Sequence, residues 1–332
     1  MTKRFVVRHA RGSFDVRRTL GAVCLAVAVA TAAFGQTVAL KQVGSFRVPA
    51  DTVEIRGSHV FVAGGHTLTI LDLSDPSSPK KAAEYAFPEQ IWSFRLAGQY
   101  AYVAANFYGL GILDISNPAA PKLRASIKTP GQAKGVALVG TTAFVADHMS
   151  GVDVIDLASL DKPTLRGSFF VDGYARDVAA SSRFAFAVDA PTGLYSLDPS
   201  RPVTEEALGQ VQSAAAPQMI EVMEQGGRVI ACLVGGGALQ LYDVTDPAKP
   251  VHLTSFKTPS GRPARIALDG ARGYVADGRE GVQIVDLSNP SSPALVGSVK
   301  TTLPVRDVAV GGGLVVAAVG MGEGNEEVVV LR

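Results

Sequence analysis

Apolar and polar residues follow one another in a strand-length motif that recurs along the chain. The clearest copy is Gly281–Pro293, in which a run of alternating character leads into a polar turn bounded by two prolines. This pattern predicts a β-strand that ends in a tight turn. Near-copies are Ile70-Leu-Asp-Leu-Ser-Asp-Pro, Ile112-Leu-Asp-Ile-Ser-Asn-Pro, Val154-Ile-Asp-Leu and Leu241-Tyr-Asp-Val-Thr-Asp-Pro, with a diverged copy at Leu194-Tyr-Ser-Leu-Asp-Pro.

A second apolar strand precedes each copy and gives the period of the repeat. Its reference positions are Val53, Phe94, Val136, Val178, Ile220, Ile266 and Val308, spaced 41, 42, 42, 42, 46 and 42 residues apart. A turn and a further strand lie between the two patterns, and a fourth strand follows the proline turn. Four short strands per unit at a period near 42 predict the blades of a β-propeller. Because each blade can bury its faces only against its neighbours, seven units predict a closed ring.

The N-terminal and C-terminal strands of the predicted propeller differ in type. Residues 43–48 match the fourth, outermost strand of a unit, and residues 328–331 match the third. The sequence therefore predicts that strand 43–48 pairs with strand 328–331 and completes the last blade, which removes two unpaired edges.

The repeats resemble those of the LVIVD-repeat family. The resemblance is carried by Gly273-Tyr-Val-Ala-Asp followed by Gly281-Val-Gln-Ile-Val-Asp-Leu-Ser-Asn-Pro-Ser-Ser-Pro, and it extends over about 43–332. It is best over 264–294, and it departs at Ser196, where the Asp of the motif is missing, and in the fifth unit. The resemblance implies an all-β, seven-bladed β-propeller of a bacterial, exported kind. It carries over no catalytic residue.

The N-terminal segment differs in composition from the rest. Residues 1–35 contain six basic side chains and a single acidic one, and the stretch from Thr19 to Gly35 is uncharged and rich in Ala and Val. This pattern is typical of a secretory signal peptide. We expect cleavage after Gly35, a propeller domain over 36–332 with no membrane span, and a periplasmic or secreted location. The Arg17-Arg18 pair also fits a twin-arginine signal, although Sec export is favoured.

The charge balance argues against nucleic acid as a partner. Without residues 1–35 the chain has 25 basic groups (31 minus 6) and 29 acidic groups (30 minus 1), and therefore a net charge of −4. A nucleic-acid surface needs a basic patch or stripe, which the sequence does not predict. We expect a monomer whose partner is an envelope or secreted protein or a glycan.

Residues that recur in most units are expected to serve the scaffold. Asp residues end the opening motif of five units, where a carboxylate can accept hydrogen bonds from the backbone of the following turn. The alternative, a ring of metal ligands, is disfavoured because the blades spread these groups around the ring. The five are Asp72, Asp114, Asp156, Asp243 and Asp286.

Residues that occur in a single unit are the candidates for binding. Trp92, Phe107 and Tyr108 fall on adjacent loops at one end of the predicted propeller, and aromatic side chains on an exposed surface are typical anchors for proteins or sugars. The alternative is that these rings plug the channel. Arg176, His66 and His148 complete the predicted ligand- or partner-binding set.

Basic residues at the same end have two interpretations. Arg176, Arg306 and Lys134 could bind an anionic group, or they could pair with nearby carboxylates. We expect pairing, with Asp177, Asp307 and Asp51 as the partners.

Catalytic signatures are not evident in the sequence. It has no Gly-x-Ser-x-Gly, His-Glu-x-x-His or Cys-x-x-Cys motif, so we predict no catalytic residue, metal ligand or cofactor. The favoured function is a non-enzymatic binding platform. The alternative is a hydrolase or lyase at the channel mouth, with or without a metal, that would use His66, His148 and Asp189.

Overall fold

The part of the chain that the structure describes is built from seven four-stranded antiparallel sheets. The computed structural model describes residues 38–190, 193–201, 206–213, 215–322 and 324–332, and the predicted signal peptide at 1–35 lies outside these residues. No helix within these ranges is long and apolar enough to cross a lipid bilayer.

Each of six blades uses four consecutive strands, numbered from the channel outwards. Blades one to three are β2 (Thr52–Arg56), β3 (His59–Gly64), β4 (Thr67–Asp72), β5 (Lys80–Ala86); β6 (Ser93–Ala97), β7 (Tyr100–Ala105), β8 (Gly109–Asp114), β9 (Lys122–Ile127); β10 (Gly135–Val139), β11 (Thr142–Ala146), β12 (Val152–Asp156), β13 (Thr164–Phe169). Blades four to six are β14 (Tyr174–Ala180), β15 (Ala185–Ala190), β16 (Gly193–Leu197), β17 (Gly209–Gln212); β18 (Pro217–Gln225), β19 (Arg228–Gly235), β20 (Ala238–Asp243), β21 (Val251–Phe256); β22 (Arg265–Asp269), β23 (Arg272–Ala276), β24 (Val282–Asp286), β25 (Ala294–Val299).

The seventh blade joins the N-terminal strand to the C-terminal ones. Its strands are β26 (Val305–Gly311), β27 (Leu314–Val319), β28 (Glu327–Leu331) and β1 (Gln42–Arg47). Strand β1 pairs antiparallel with β28, with Phe46 opposite Val328. This pairing confirms the predicted closure, and it leaves neither terminal strand with a free inner edge.

The core lies between adjacent blades. In the layer between blades one and two, the buried side chains of Phe61 and Ile70 pack with Phe94 and Val103. Comparable layers fill the other gaps around the ring. Each large apolar side chain buried in this way contributes about 1.5–3 kcal/mol, and most of this contribution needs the neighbouring blade.

The fifth blade accommodates the one irregular spacing of the repeat. Its first two strands are β18, with 9 residues, and β19, with 8 residues. The corresponding strands of blade one have 5 and 6 residues. The extra residues therefore lengthen a hairpin and leave the ring intact.

The recurring Asp residues stabilise turns, as predicted. Asp72 Oδ1 accepts hydrogen bonds from the Ser74 backbone N–H at 2.8 Å and from the Ser74 hydroxyl at 2.6 Å, and these bonds lower the pKa of Asp72. The same backbone bond to the second following residue occurs at Asp114, Asp156, Asp243 and Asp286. In blade four the register places Ser196 opposite Phe186 within the strand, where its hydroxyl oxygen is buried without a hydrogen-bond partner. Asp198 makes the corresponding turn bond there, accepting the Ser200 N–H at 2.8 Å.

Candidate functional site

One end of the propeller carries two kinds of loop. In antiparallel blades, the turn between the second and third strands and the connection from the fourth strand to the next blade lie at the same end. We call this end the upper rim. Isolated backbone bridges join Asn106 to Ala133, His148 to Ala175 and Gly278 to Val305. In these blades the turn is thus tied to the connection that enters the next blade.

These turns share a left-handed backbone position. Asn106 has φ 45°, His148 has φ 54° and Gly278 has φ 58°. The residue that follows stands at the tip of the turn: Phe107 is 53% exposed and Met149 is 75% exposed. The repeated backbone thus presents a side chain that differs from blade to blade.

Trp92 and Lys134 meet where blades two and three adjoin. Trp92 precedes β6 and Lys134 precedes β10, and the Lys134 Nζ lies 3.5 Å from the centroid of the Trp92 ring. An ammonium over an indole face is a favourable cation–π arrangement. Trp92 is 39% exposed and also lines a cavity of about 370 Å³ together with Arg265 and Arg306. Its ring therefore contacts a cation and remains accessible at the channel mouth.

His148 and Tyr174 form the corresponding contact between blades three and four. Their rings are stacked, with centroids 4.7 Å apart. Burial, followed by the charges of Lys134 and Arg176, lowers the pKa of His148, although the Asp147 carboxylate acts in the opposite direction. His148 is therefore favoured in its neutral form near pH 7.

The predicted binding residues fall into different environments. Trp92, Phe107 and His66 are exposed on the upper rim. Tyr108 is partly buried and packs edge-on against Phe87 at 5.9 Å, which places it in the core between blades one and two. Met149 and Phe170 are also exposed at this end, and no signal in the sequence marked them.

The expected ion pairs form only in part. Arg306 pairs with Asp51 at 2.6 Å, and that bond joins blade seven to the connection before blade one. Lys134 and Arg176 form no ion pair with any described residue, contrary to expectation. Asp177 faces the channel and accepts the Ile220 N–H at 3.2 Å.

A third group of carboxylates stabilises the upper-rim turns. Asp189 accepts the N–H of Gly173 at 2.8 Å and that of Gly193 at 2.7 Å. Asp147 and Asp277 accept equivalent bonds from the connections that enter their own blades. Asp189 was one of the residues that a hydrolase or lyase would use, and in the structure it stabilises a turn.

The central channel contains a charged network. Its cavity of about 300 Å³ is lined by residues that include Glu54, Arg95, Glu221, Arg265 and Asp307. Arg95 donates to Glu54 at 3.2 Å and to Glu221 at 2.5 Å, so one guanidinium serves two carboxylates. Burial raises the pKa of Glu221 to about 7, despite the neighbouring Arg95. Within the described residues, no group of three or more His, Cys, Asp or Glu side chains is arranged to hold a metal ion.

The repeats match a known family model, that of the LVIVD repeat. Five matches cover residues 49–86, 90–129, 130–171, 172–204 and 260–301. The chain belongs to the LVIVD repeat family. The matches fall on blades one to four and on blade six, so the long-hairpin fifth blade and the composite seventh blade of this LVIVD repeat protein have diverged from the family pattern.

The fold is shared with solved structures of low sequence identity. The β-propeller domain of Cps50 (Swd1) from Myceliophteria thermophila superposes with a TM-score of 0.71 and 12% identity, over 88% of this chain and 99% of that one. At this identity the likeness concerns the fold alone. No match was found among curated proteins.

The exposed large apolar residues of this LVIVD repeat protein separate into two sets. Four of the ten in the described ranges stand at the start of outer strands in four blades, where the repeat explains them: Leu123, Leu165, Val251 and Leu295. The other six all belong to the upper rim: Trp92, Phe107, Met149, Phe170, Tyr174 and Met321. Among the described residues, the opposite end carries only the four that belong to the repeat. Five of the six, all except Met321, lie on blades two to four or on the connections that enter them, and we call these five the apolar patch.

Proposed function

We propose that this protein is an exported, non-enzymatic binding platform that acts in the periplasm or outside the cell. The partner is an envelope or secreted protein or a glycan, and it binds the upper rim at blades two to four. The single observation that carries the proposal is the confinement of non-repeated exposed apolar residues to that rim. Exposed apolar side chains that cluster on one surface mark interaction sites.

The composition of the apolar patch favours a protein over a glycan. Phe107, Met149 and Phe170 have no polar handle, and they are 53%, 75% and 78% exposed. Aromatic residues, Met and Arg are enriched in protein–protein interfaces, and Arg176 lies beside the patch. Sugar sites would need polar groups around the rings to bind hydroxyls.

The proposal rests on the rim being rigid enough to present these residues. The backbone bridge at Asn106 fixes the turn that carries Phe107. The hydrogen-bonded carboxylate of Asp147 fixes the turn that carries Met149. A preformed surface loses less conformational entropy on binding than a mobile one.

Affinity capture with residues 36–332 tests the proposal. Envelope and culture extracts are passed over the parent, over a Trp92→Ala/Phe107→Ala variant and over a Leu123→Ala/Leu165→Ala variant as the matched control. Tyr108 is left intact because its ring packs in the core. We expect one or more proteins to bind the parent and the control and to be lost from the rim variant. Purified partners should likewise bind the parent and the control more tightly than the rim variant.

The outcomes separate the possible functions. Equal retention by all three proteins would contradict a role for the patch. A glycan array that gives Trp92-dependent binding while protein capture fails would shift the partner class to sugars. Turnover of ester, glycoside or polysaccharide substrates that is lost in His148→Ala would instead favour the hydrolase or lyase.

A further inference from the structure

Some cations of the upper rim are ion-paired and others are not. Arg306 pairs with Asp51 at 2.6 Å, and Lys300 pairs with Glu280 at 3.3 Å. In contrast, Lys134 and Arg176 form no ion pair within the described part of the protein. The Nε of Arg176 is buried and has no hydrogen-bond partner. A charged donor that loses water without gaining an acceptor is costly, and an acceptor at the exposed part of the same guanidinium would offset that cost.

The nearby carboxylates are engaged elsewhere. Glu89, on the connection before blade two, accepts a hydrogen bond from the Asn106 side chain at 3.1 Å. Asp172, on the connection before blade four, accepts one from the Tyr195 hydroxyl at 3.2 Å. The Asp147 carboxylate is buried and is held by the Thr129 hydroxyl at 2.7 Å.

The unpaired cations also act on one another. The charge of Arg176 adds to burial in lowering the pKa of Lys134, and both cations contribute to the lowered pKa of His148. These three groups therefore share one region of positive potential. An anion bound among them would relieve this repulsion and would give the partly exposed Arg176 guanidinium an acceptor.

The apolar surroundings define what else the ligand must carry. Trp92 lies directly against Lys134, Tyr174 is stacked on His148, and Met149 follows His148 at the tip of its turn. A carboxylate that docks between such residues becomes partly desolvated, which strengthens its bonds to Lys and Arg. The molecule that carries this carboxylate binds most tightly when it also buries apolar side chains of its own against the patch.

We infer that Lys134 and Arg176 form an anion subsite that receives a carboxylate of the partner protein, flanked in that partner by apolar side chains. This inference rests on the proposed protein-binding function of the same rim. The carboxylate is that of an Asp or Glu side chain or of the partner's C-terminus, since both present the same two oxygens to the guanidinium.

Selection from a random decapeptide display library against residues 36–332 tests the inference without a known partner. We expect the selected peptides to contain Asp or Glu next to Phe, Leu, Ile or Trp, or to end in an apolar residue with a free carboxylate. Synthetic versions of the best binders are then compared with Glu→Gln or Asp→Asn counterparts and with C-terminal amides, which distinguishes the two carboxylate sources. The fluorescence of Trp92, the only Trp of the sequence, reports binding directly.

Matched variants locate the subsite. Arg176→Gln and Lys134→Gln should each lower the affinity for the acidic peptides about tenfold or more, as expected for loss of a desolvated charge pair. The affinity for the amide counterparts should not change. Arg176→Lys should recover part of the affinity, and Lys122→Gln, at an exposed position of β9, should have no effect. Thermal unfolding curves that superpose on the parent show that each variant is folded.

The results distinguish the inference from the function on which it rests. Selected peptides could depend on Trp92 for binding, contain no acidic residue and bind Arg176→Gln as tightly as the parent. This result would overturn the anion subsite but not the proposed binding platform. Failure to select any peptide that depends on Trp92 or Phe107 would overturn both. Concentration-dependent dimerisation abolished by Trp92→Ala would identify a second copy as the occupant and would equally overturn the inference.

Discussion

Arg95 on blade two forms an ion pair with Glu221 on blade five, across the central channel. The two residues are 126 positions apart in the sequence. The same guanidinium also binds Glu54 of blade one, which in turn accepts the Leu96 N–H of blade two at 2.9 Å. One arginine therefore connects three blades inside the ring.

Removal of the central guanidinium should destabilise the propeller. Arg95→Met leaves Glu54 and Glu221 without their shared cation, and we expect a loss of roughly 2–3 kcal/mol in the free energy of unfolding, measured in urea. The value is below that for a fully buried network because 24% of the Arg95 side chain is exposed. Arg124→Gln is the control, since its pair with Asp161 is at the surface and should matter by less than about 1 kcal/mol. Equal losses in the two variants would contradict a structural role for the channel network.

Glu221 should make the stability depend on pH. Burial raises its pKa to about 7 in the folded state, so the folded protein binds a proton there more tightly than the unfolded one does. This contribution to stability is fully present below the unfolded pKa near 4.5 and is lost as pH rises through about 7. Relative to Glu221→Gln, the parent should lose roughly 2 kcal/mol between pH 5 and pH 8 in urea unfolding experiments. A difference that stays constant over this range would be inconsistent with the raised pKa.

Blade three contains a buried pair of carboxyl groups that predicts a second pH effect. Burial and the neighbouring Asp147 carboxylate raise the pKa of Asp153, whereas Gln240 and Gln283 occupy the equivalent position in blades five and six. Asp153→Asn should therefore be more stable than the parent at pH 8 and nearly equal to it at pH 4, because the parent side chain is then protonated. Chemical denaturation at the two pH values measures both differences. The reverse order would show that Asp153 is stabilised as an anion.

Closure of the ring should depend on β1. A protein that begins at residue 49 lacks the strand that pairs with β28, so it exposes an edge and the apolar side of Val328 and Val330. We expect aggregation, or unfolding at a much lower urea concentration than for the protein that begins at residue 36. Addition of a synthetic peptide with the sequence of residues 38–48 should restore part of the stability. Equal unfolding midpoints for the two proteins would contradict the closure.

His148 should tolerate glycine better than a branched residue. Its backbone has φ 54°, in the region that favours Gly, and the equivalent residue of blade six is Gly278. His148→Gly relieves about 1 kcal/mol of backbone strain and loses a stacking contact of similar size with Tyr174, so its stability should stay close to that of the parent. His148→Val should cost about 2 kcal/mol more than His148→Gly in urea. Equal stability of these two variants would rule out the strained backbone.

Local sequence patterns account for the architecture and for the scaffold residues. The period near 42 and the four strand types predict the blades, and the mismatch between the strand types at the two ends predicts the β1–β28 pairing. Asp72 and its equivalents could be assigned to turns because each bond spans two residues, a distance that the sequence encodes directly.

Contacts between distant parts of the sequence required the tertiary structure. The sequence placed Arg176 beside Asp177, but backbone geometry turns Asp177 into the channel and leaves Arg176 without a carboxylate. It grouped Tyr108 with Phe107, whereas the ring of Tyr108 packs against Phe87 and that of Phe107 is exposed. Sequence alone thus determined the blades and their turns, because periodicity and hydrogen bonds across a few residues are local. Only the tertiary structure decided which charges are paired and which apolar side chains are exposed, because these depend on how the closed ring brings separate blades together.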